Sequence, residues 1–136
     1  MGVSIPVAKY LLDSDVLIWV LRNRQETVRL AQRLAQESGE TLACSAVSVL
    51  EIWTGTRPSE QTRTAALLEA LDVLPIDAAI AKRAAELLRA HRDPRNPREW
   101  IDALIAATAL QHHMTLVTYN LRDYPYPALA LFPHAK

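Results

Sequence analysis

Short apolar runs that alternate with helical segments are the feature that most constrains how this chain can fold. Such runs, bounded by polar or turn-forming residues, are typical of buried strands. They lie at residues 10–12, 42–44, 73–74 and 114–118, with a weak final run at 128–131. A parallel connection needs a crossover long enough for a helix. We therefore predict an α/β fold with a short parallel β-sheet flanked by helices on both faces, and ligands at the carboxyl ends of its strands.

The segments between these runs have the spacing and end signals of helices. Ser45 and Asp77 are residue types that cap helix N-termini, and Gly39 and Gly55 are typical helix ends. Asn96, Pro97 and Glu99 combine a cap, a proline at the first helical position and a glutamate three residues after the cap. Helices are predicted at 16–21, at 25–37, from Ser45 to Gly55, at 60–70, after Asp77, and from Asn96 to about His113. The last of these is apolar nearly all round, so we expect it to be largely buried.

The 136 residues suit one compact domain, 1–136. Because the net charge is zero, any nucleic-acid contact should depend on a local patch and a metal ion instead of a global positive field. Cys44 is the single cysteine, which excludes an internal disulfide and fits a buried small hydrophobe. No apolar run is long enough to span a membrane, and residues 1–9 lack the apolar stretch of a signal peptide. We expect a soluble cytoplasmic protein.

Two acidic residues follow predicted strands. Asp13 comes directly after the first strand, although aspartate there is equally typical of a helix N-cap. Asp123 lies just past the last long strand, where aspartate is also an ordinary turn residue. Both would lie at the carboxyl edge of the sheet, where this architecture binds ligands.

Two further acids lie in apolar helices. Glu51 is on a face expected to pack, where a carboxylate needs a partner, unless the position faces solvent. Asp102 precedes the apolar stretch 103–110 and is too deep in the helix to cap it. Its alternative role is an ion pair with Arg98, four residues earlier on the same face.

Taken together, Asp13, Glu51, Asp102 and Asp123 predict a cation site. Two unit charges about 4 Å apart cost roughly 4 kcal/mol at an effective dielectric of 20, so such a cluster needs a cation or protonation. Hard divalent ions with oxygen ligands, Mg²⁺ or Mn²⁺, suit it. Such ions activate water and stabilise charge on a phosphodiester, which predicts a metal-dependent nuclease.

Four stretches of the chain resemble the motifs of one known family, the PIN-domain ribonucleases, and especially the VapC-type toxins of toxin–antitoxin pairs. The stretches are residues 11–18, 45–51 with Gly55, 102–109 and 117–124, in the family's order and at its spacing. The resemblance implies that the family's metal-binding acids are Asp13, Glu51, Asp102 and Asp123. Ser14 stands where threonine is usual and keeps the helper hydroxyl. Thr118 and Asn120 are supporting residues, and Asn120 shares the ligand role with Asp123 in some members.

The resemblance also implies partners and marks departures. VapC-type toxins are often homodimers, cut structured RNA such as tRNA or ribosomal RNA, and are silenced by a VapB-like antitoxin whose tail covers the active site. In this chain Asp15 stands where asparagine is common, and Tyr124 replaces the common phenylalanine. The first change leaves the role of Asp15 open between added charge near the metal and a helix cap.

An arginine-rich segment, residues 89–98, precedes the helix of Asp102. Arg92, Arg95 and Arg98 are candidates for contacts with RNA phosphates, which guanidinium groups bind well. An ordinary solvated loop is the alternative interpretation.

Two other functions remain open at this stage. Asp13-Ser14-Asp15 after apolar residues also resembles the opening motif of haloacid-dehalogenase-type phosphatases, in which Asp13 would be the nucleophile. Against this, Leu17 stands where threonine or valine is usual, and Asp102 lies in a helix. The second alternative is a non-catalytic PIN-like binding scaffold, although such scaffolds commonly lose some of the acids that are all present here.

Overall fold

The structure of the protein is a computed structural model that describes residues 9–39 and 41–133. Our expectation about a signal peptide falls almost wholly on residues 1–8, outside the described part of the chain. Within the described part, no helix combines the length and the apolar character needed to cross a bilayer.

The described residues form one four-stranded sheet in which every pair of neighbouring strands is parallel. The strands are β1 (Tyr10–Leu12), β2 (Ala43–Ser45), β3 (Asp72–Leu74) and β4 (Thr115–Val117), in the spatial order β3-β2-β1-β4. The predicted α/β class and parallel pairing are thus confirmed. Because β1 lies between β2 and β4, the strands that come first and last along the chain are neighbours in the sheet.

Six α-helices connect and cover the strands in the described residues. They are α1 (Ser14–Leu21), α2 (Gln25–Glu37), α3 (Ala46–Gly55), α4 (Gln61–Glu69), α5 (Ala78–Ala90) and α6 (Glu99–Gln111), with short 3₁₀ turns at Pro58–Glu60 and Leu121–Asp123. The predicted caps at Ser45 and Asp77 are confirmed, since their side chains accept hydrogen bonds from the backbone N–H groups of Val47 and Ile80. Gly39 follows α2 with a φ of 66°, a conformation that glycine adopts without strain.

The core lies on both faces of the sheet, because successive strand residues point to opposite sides. Leu11 and Leu116 pack with Ile105 of α6 on one face. On the other face, Leu12 packs with residues of α1, α2 and α3. The helix α6 is largely buried, as predicted, and Cys44 is fully buried.

Two local predictions are wrong. The final strand at 128–131 is reduced to a single parallel bridge between Leu131 and Leu116, on the side of β4 that β1 leaves free. The regular helix α6 begins at Glu99 instead of next to Asn96. The capping box does not form because the Glu99 carboxylate accepts hydrogen bonds from Arg92 Nε and from the backbone N–H of Asp93. The Asn96 side chain accepts from the Arg98 N–H instead, at 2.9 Å.

Candidate active site

Asp13 lies where the strand β1 ends and the helix α1 begins. Its backbone N–H donates to the carbonyl of Val117, at 2.9 Å, which extends the pairing of β1 with β4 by one residue. Its Oδ1 accepts from the Ser14 N–H at 2.7 Å, so it is also the N-cap of α1. Both interpretations of Asp13 therefore hold at once: it caps a helix, and it lies at the carboxyl edge of the sheet.

The other carboxylate oxygen of Asp13 faces the site interior. Its Oδ2 accepts from Thr118 Oγ1 at 2.8 Å and from the Tyr124 hydroxyl at 2.7 Å. Asp13 is only 1% exposed, and this burial raises its pKa, although the hydrogen bonds from Tyr124, Thr118 and Ser14 act in the opposite direction. Thr118, a predicted supporting residue, thus holds Asp13 from the end of β4.

Asp102 lies in the first turn of α6 and is also 1% exposed. Asn96 Nδ2 donates to its Oδ2 at 2.8 Å, and the Tyr124 hydroxyl lies 3.3 Å from its Oδ1. Burial is the main reason that its pKa is raised to about 6, and the charges of Asp13 and Asp123 raise it further. The Tyr124 hydroxyl therefore bridges the two most buried acids, which come from opposite ends of the chain.

Glu51 approaches this edge from α3, as predicted, and has partners. Its Oε1 accepts from Ser14 Oγ at 2.6 Å, and Ser14 Oγ also lies 2.9 Å from Ser48 Oγ. Ser14 thus joins α1 to α3. The solvent-facing alternative for Glu51 is wrong, because its carboxylate is engaged within the protein.

Arg98 lies between Glu51 and Asp102. Its Nε and Nη2 donate to the two oxygens of Glu51 at 3.0 and 2.7 Å, and its Nη2 lies 3.5 Å from Asp102 Oδ1. Burial alone would lower the pKa of the guanidinium, but the charges of Asp102, Glu51 and Asp13 raise it above its ordinary value. The ion pair with Asp102 that we considered as an alternative role is present, and it extends to Glu51.

Asp123 lies in the 3₁₀ turn after β4 and is partly exposed. It is close enough for its charge to raise the pKa of Asp102. Its carboxylate accepts no hydrogen bond from any side chain or backbone group of the described residues. Of the four predicted acids, Asp123 is the one that the structure connects to the others by charge alone.

Asp15 is a site residue whose role the sequence left open. Its Oδ1 accepts from the Val16 N–H at 2.8 Å, and its Oδ2 accepts from the Tyr119 N–H at 2.9 Å. Asn120 Nδ2 lies 3.3 Å from the same Oδ2, so the Asn120 amide is directed to Asp15. Burial and then the charge of Asp13 raise the pKa of Asp15 to about 6. Asp15 therefore fastens the start of α1 to the segment that follows β4.

The arginine-rich segment lies next to this cluster. Arg92 pairs with Glu99 at 3.0 Å while most of its side chain stays exposed, and Arg95 is exposed. A shallow groove of about 530 Å³ is lined by Arg92, Arg98 and Trp100, among others. Arg92 thus lines a groove beside Arg98, and Arg95 is exposed on the same segment.

The chemistry of the site suits a hard divalent cation, since carboxylate and hydroxyl oxygens line it. Nevertheless, no group of three or more His, Cys, Asp or Glu side chains is gathered tightly enough to hold a metal ion anywhere in the described ranges 9–39 and 41–133. The positive charge that the acids require comes from Arg98 in this arrangement. The oxygen donors of the site therefore suit a divalent metal ion, but with Arg98 between them the carboxylates are not gathered around one metal position.

The sequence matches the PIN domain family over residues 10–125. It is 38% identical over 117 residues to Ribonuclease VapC10 of Mycobacterium tuberculosis, covering 85% of each chain. It is 31% identical over 125 residues to the tRNA(fMet)-specific endonuclease VapC of Shigella flexneri, covering 85% of this chain and 89% of that one.

Solved structures agree on the fold. VapBC2 from Rickettsia felis, bound to a promoter DNA fragment, superposes with a TM-score of 0.76 at 22% identity, over 90% of this chain and 96% of that one. Neither the phosphatase nor the binding-scaffold alternative finds support in these comparisons. The sequence match, the parallel sheet and the relatives together show that the chain belongs to the PIN domain family.

Proposed function

We propose that this protein is a metal-dependent endoribonuclease toxin that hydrolyses RNA phosphodiester bonds and is inhibited by a cognate antitoxin. The observation that carries the proposal is the pairing of Asp13 and Asp102, two almost fully buried carboxylates that share the Tyr124 hydroxyl at the carboxyl edge of the sheet. Buried acids with raised pKa values, held close together in a cleft, are typical of catalytic sites. The two named relatives are a ribonuclease and a tRNA endonuclease, which favours RNA as the substrate.

Each residue of the site has a proposed task. Asp13, Glu51, Asp102 and Asp123 would hold Mg²⁺ or Mn²⁺, which when bound supplies Lewis-acid stabilisation of charge on the phosphodiester and a more acidic water. Thr118 and Tyr124 hold the Asp13 carboxylate in a fixed orientation through their hydroxyl groups. Ser14 orients Glu51, and Asn96 orients Asp102. Asn120 is proposed to share the ligand role with Asp123 through its amide oxygen, since its amide nitrogen is directed to Asp15.

The substrate would reach the acids along the groove next to α6. Arg92 and Arg95 are proposed to contact phosphates, because Arg92 lines this groove and Arg95 is exposed on the same segment. Because the net charge is zero, electrostatic attraction for RNA would have to come from a local patch such as this one. Structured RNA, tRNA or ribosomal RNA, is the proposed substrate class.

The proposed partners are a VapB-like antitoxin and a second copy of the chain, in the cytoplasm. Support for the antitoxin comes from solved neighbours that are toxin–antitoxin complexes, including one from Klebsiella pneumoniae. The exposed Trp100, with 71% of its surface accessible, offers an apolar side chain for a protein contact. Light scattering of the purified chain, alone and with its antitoxin, would measure both assemblies.

Cleavage of total cellular RNA tests the catalytic proposal. Purified protein would be incubated with Mg²⁺ or Mn²⁺, with EDTA, and as an Asp102→Asn variant. We expect discrete fragments that disappear with EDTA and fall by roughly 100-fold or more in the variant, because metal assistance is worth several kcal/mol and about 1.4 kcal/mol is tenfold in rate. Asp72→Asn is the matched control, since Asp72 is exposed at the first position of β3, at the opposite edge of the sheet.

Intact RNA in every lane would contradict the proposal, provided that the protein is folded and free of antitoxin. Release of phosphate from p-nitrophenyl phosphate under the same conditions would instead favour the phosphatase. The choice between tRNA and ribosomal RNA would be made by sequencing the fragment ends.

A further inference from the structure

The guanidinium of Arg98 occupies the centre of the carboxylate cluster. It engages both oxygens of Glu51, with the shortest separation, Nη2 to Oε2, at 2.6 Å. The same Nη2 lies 3.5 Å from Asp102 Oδ1. One arginine, with a single positive charge, therefore pairs with two of the four acids that are the proposed metal ligands.

The chain holds Arg98 in this place through its neighbours. Arg98 precedes α6, four residues before Asp102, so the two side chains lie on the same face of the helix. Asn96 secures both ends of this arrangement, since it accepts from the Arg98 N–H and donates to Asp102. Glu99 fastens the preceding loop by binding Arg92 and the backbone of Asp93. The position of Arg98 is thus part of the local structure, which distinguishes it from a mobile surface side chain.

A divalent ion and Arg98 need the same oxygens. An ion held by Glu51 must take at least one oxygen that now accepts a hydrogen bond from Arg98, and two positive groups at this separation repel each other. The Arg98 side chain is 35% exposed, which leaves it a path to turn outward into solvent. Among the described residues, no other positively charged side chain forms an ion pair with these acids within 4 Å. Arg92 pairs with Glu99 alone.

We propose that Arg98 is an internal counter-cation that stabilises the metal-free site and competes with a divalent ion for Glu51 and Asp102. Metal binding then requires that the guanidinium leave these acids, so Arg98 sets the metal affinity of the site. This inference rests on the proposed function, because it takes the acids to be metal ligands.

Calorimetric titration of the full chain with Mn²⁺ tests this competition without using RNA cleavage. In Arg98→Gln, we expect Mn²⁺ to bind tighter than in the wild type by roughly tenfold, which is about 1.4 kcal/mol. The metal-free variant should also melt at a lower temperature, because Glu51 and Asp102 lose their compensating charge. Arg98→Lys should lie between the two proteins, since lysine keeps the charge without the planar fork. Arg29→Gln is the matched control for loss of a positive charge, because Arg29 is exposed on α2.

The outcomes separate this inference from the proposed function. Equal Mn²⁺ affinity in Arg98→Gln and the wild type overturns the competition. Weaker affinity in the variant also overturns it, because Arg98 would then support Glu51 as a ligand. No Mn²⁺ binding by either protein overturns both the inference and the metal dependence of the nuclease. RNA cleavage that is abolished by EDTA, together with equal affinities, leaves the proposed function standing alone.

A second measurement on the wild type remains informative if the variant does not fold. Nuclear magnetic resonance of the arginine Nε–H groups during a Mg²⁺ titration reports directly on the hydrogen bond from Arg98 to Glu51. We expect the Arg98 signal to move toward the position of solvent-exposed arginines as the site fills. A signal that stays unchanged at saturating Mg²⁺ overturns the inference.

Discussion

Tyr124→Phe should destabilise the metal-free protein while leaving the shape of the core unchanged. The substitution removes only the hydroxyl that donates to Asp13 at 2.7 Å and lies 3.3 Å from Asp102. Tyr124 is 3% exposed and Asp13 is 1% exposed, so water cannot readily replace the lost donor. A hydrogen bond to a charged group is worth about 1.5–3 kcal/mol, and Asp13 keeps the donors of Thr118 and Ser14.

We therefore expect the free energy of unfolding to fall by about 2 kcal/mol at neutral pH in the presence of EDTA, measured by urea denaturation. The effect should shrink at acidic pH, because a protonated Asp13 accepts a weaker hydrogen bond. In a chain of this size the loss corresponds to a lower melting temperature by roughly 6–10 °C.

Tyr126→Phe is the matched control for this measurement. Tyr126 packs in the same apolar cluster and is 4% exposed, but its hydroxyl has no hydrogen-bond partner among the described residues. Its replacement should change stability by less than about 0.5 kcal/mol. Equal losses in the two variants would refute the reasoning, because they would show that the Tyr124 hydroxyl contributes nothing through the acids.

Three further predictions concern buried groups. Burial raises the pKa of Asp102 from 3.8 to about 6. A carboxyl whose pKa is raised on folding stabilises the native state fully at a pH below its pKa in the unfolded chain. This contribution is lost as the pH rises through its pKa in the folded protein. In EDTA, the stability of Asp102→Asn relative to the wild type should therefore grow by roughly 3 kcal/mol between about pH 3 and pH 8. A constant difference between the denaturation curves of the two proteins would contradict this pKa. Thr118→Val should cost about 1–3 kcal/mol, because Thr118 Oγ1 donates to Asp13 and accepts from the Asn120 N–H, and the same denaturation measurement would detect it. Cys44, buried and with a pKa raised to about 11 by burial, should react with a thiol reagent at neutral pH only after unfolding, and rapid labelling of the native protein would show that β2 opens to solvent.

The position of Asp13 followed from the sequence because it depends on topology, whereas Thr118 was named only through the resemblance to the family. Residues that directly follow parallel strands reach the same edge of the sheet, whatever the details of packing. The buried character of α6 followed from its apolar composition for a similar reason. These features depend only on the order and spacing of apolar residues, which can be read directly from the sequence.

The partners of the acids depended on tertiary packing and were harder to predict. The spacing of Arg98 and Asp102 indicated their ion pair, but Glu51 is 47 residues away from Arg98 on another helix, and no local pattern joins them. Tyr124 stood out only as a replacement for phenylalanine, and its hydroxyl gains a role because two distant acids meet beside it. The predicted capping box at Asn96 does not form, because Glu99 pairs with Arg92 instead. A rule based on residue spacing alone does not take such an ion pair into account.

The central place of β1 in the sheet has a consequence for how the protein is made. Asp13 and Tyr124 are 111 positions apart, and Asp13 is held to the sheet by the carbonyl of Val117. During synthesis from the N-terminus, the first strand must wait for the last one before the cluster can close, and contacts this distant in sequence form slowly. A copy whose translation stops before Thr115 lacks both β4 and the bridging hydroxyl of Tyr124. Unfinished copies of this length therefore carry an unassembled cluster, in which Asp13 lacks its partner strand and the hydroxyl donors of Thr118 and Tyr124.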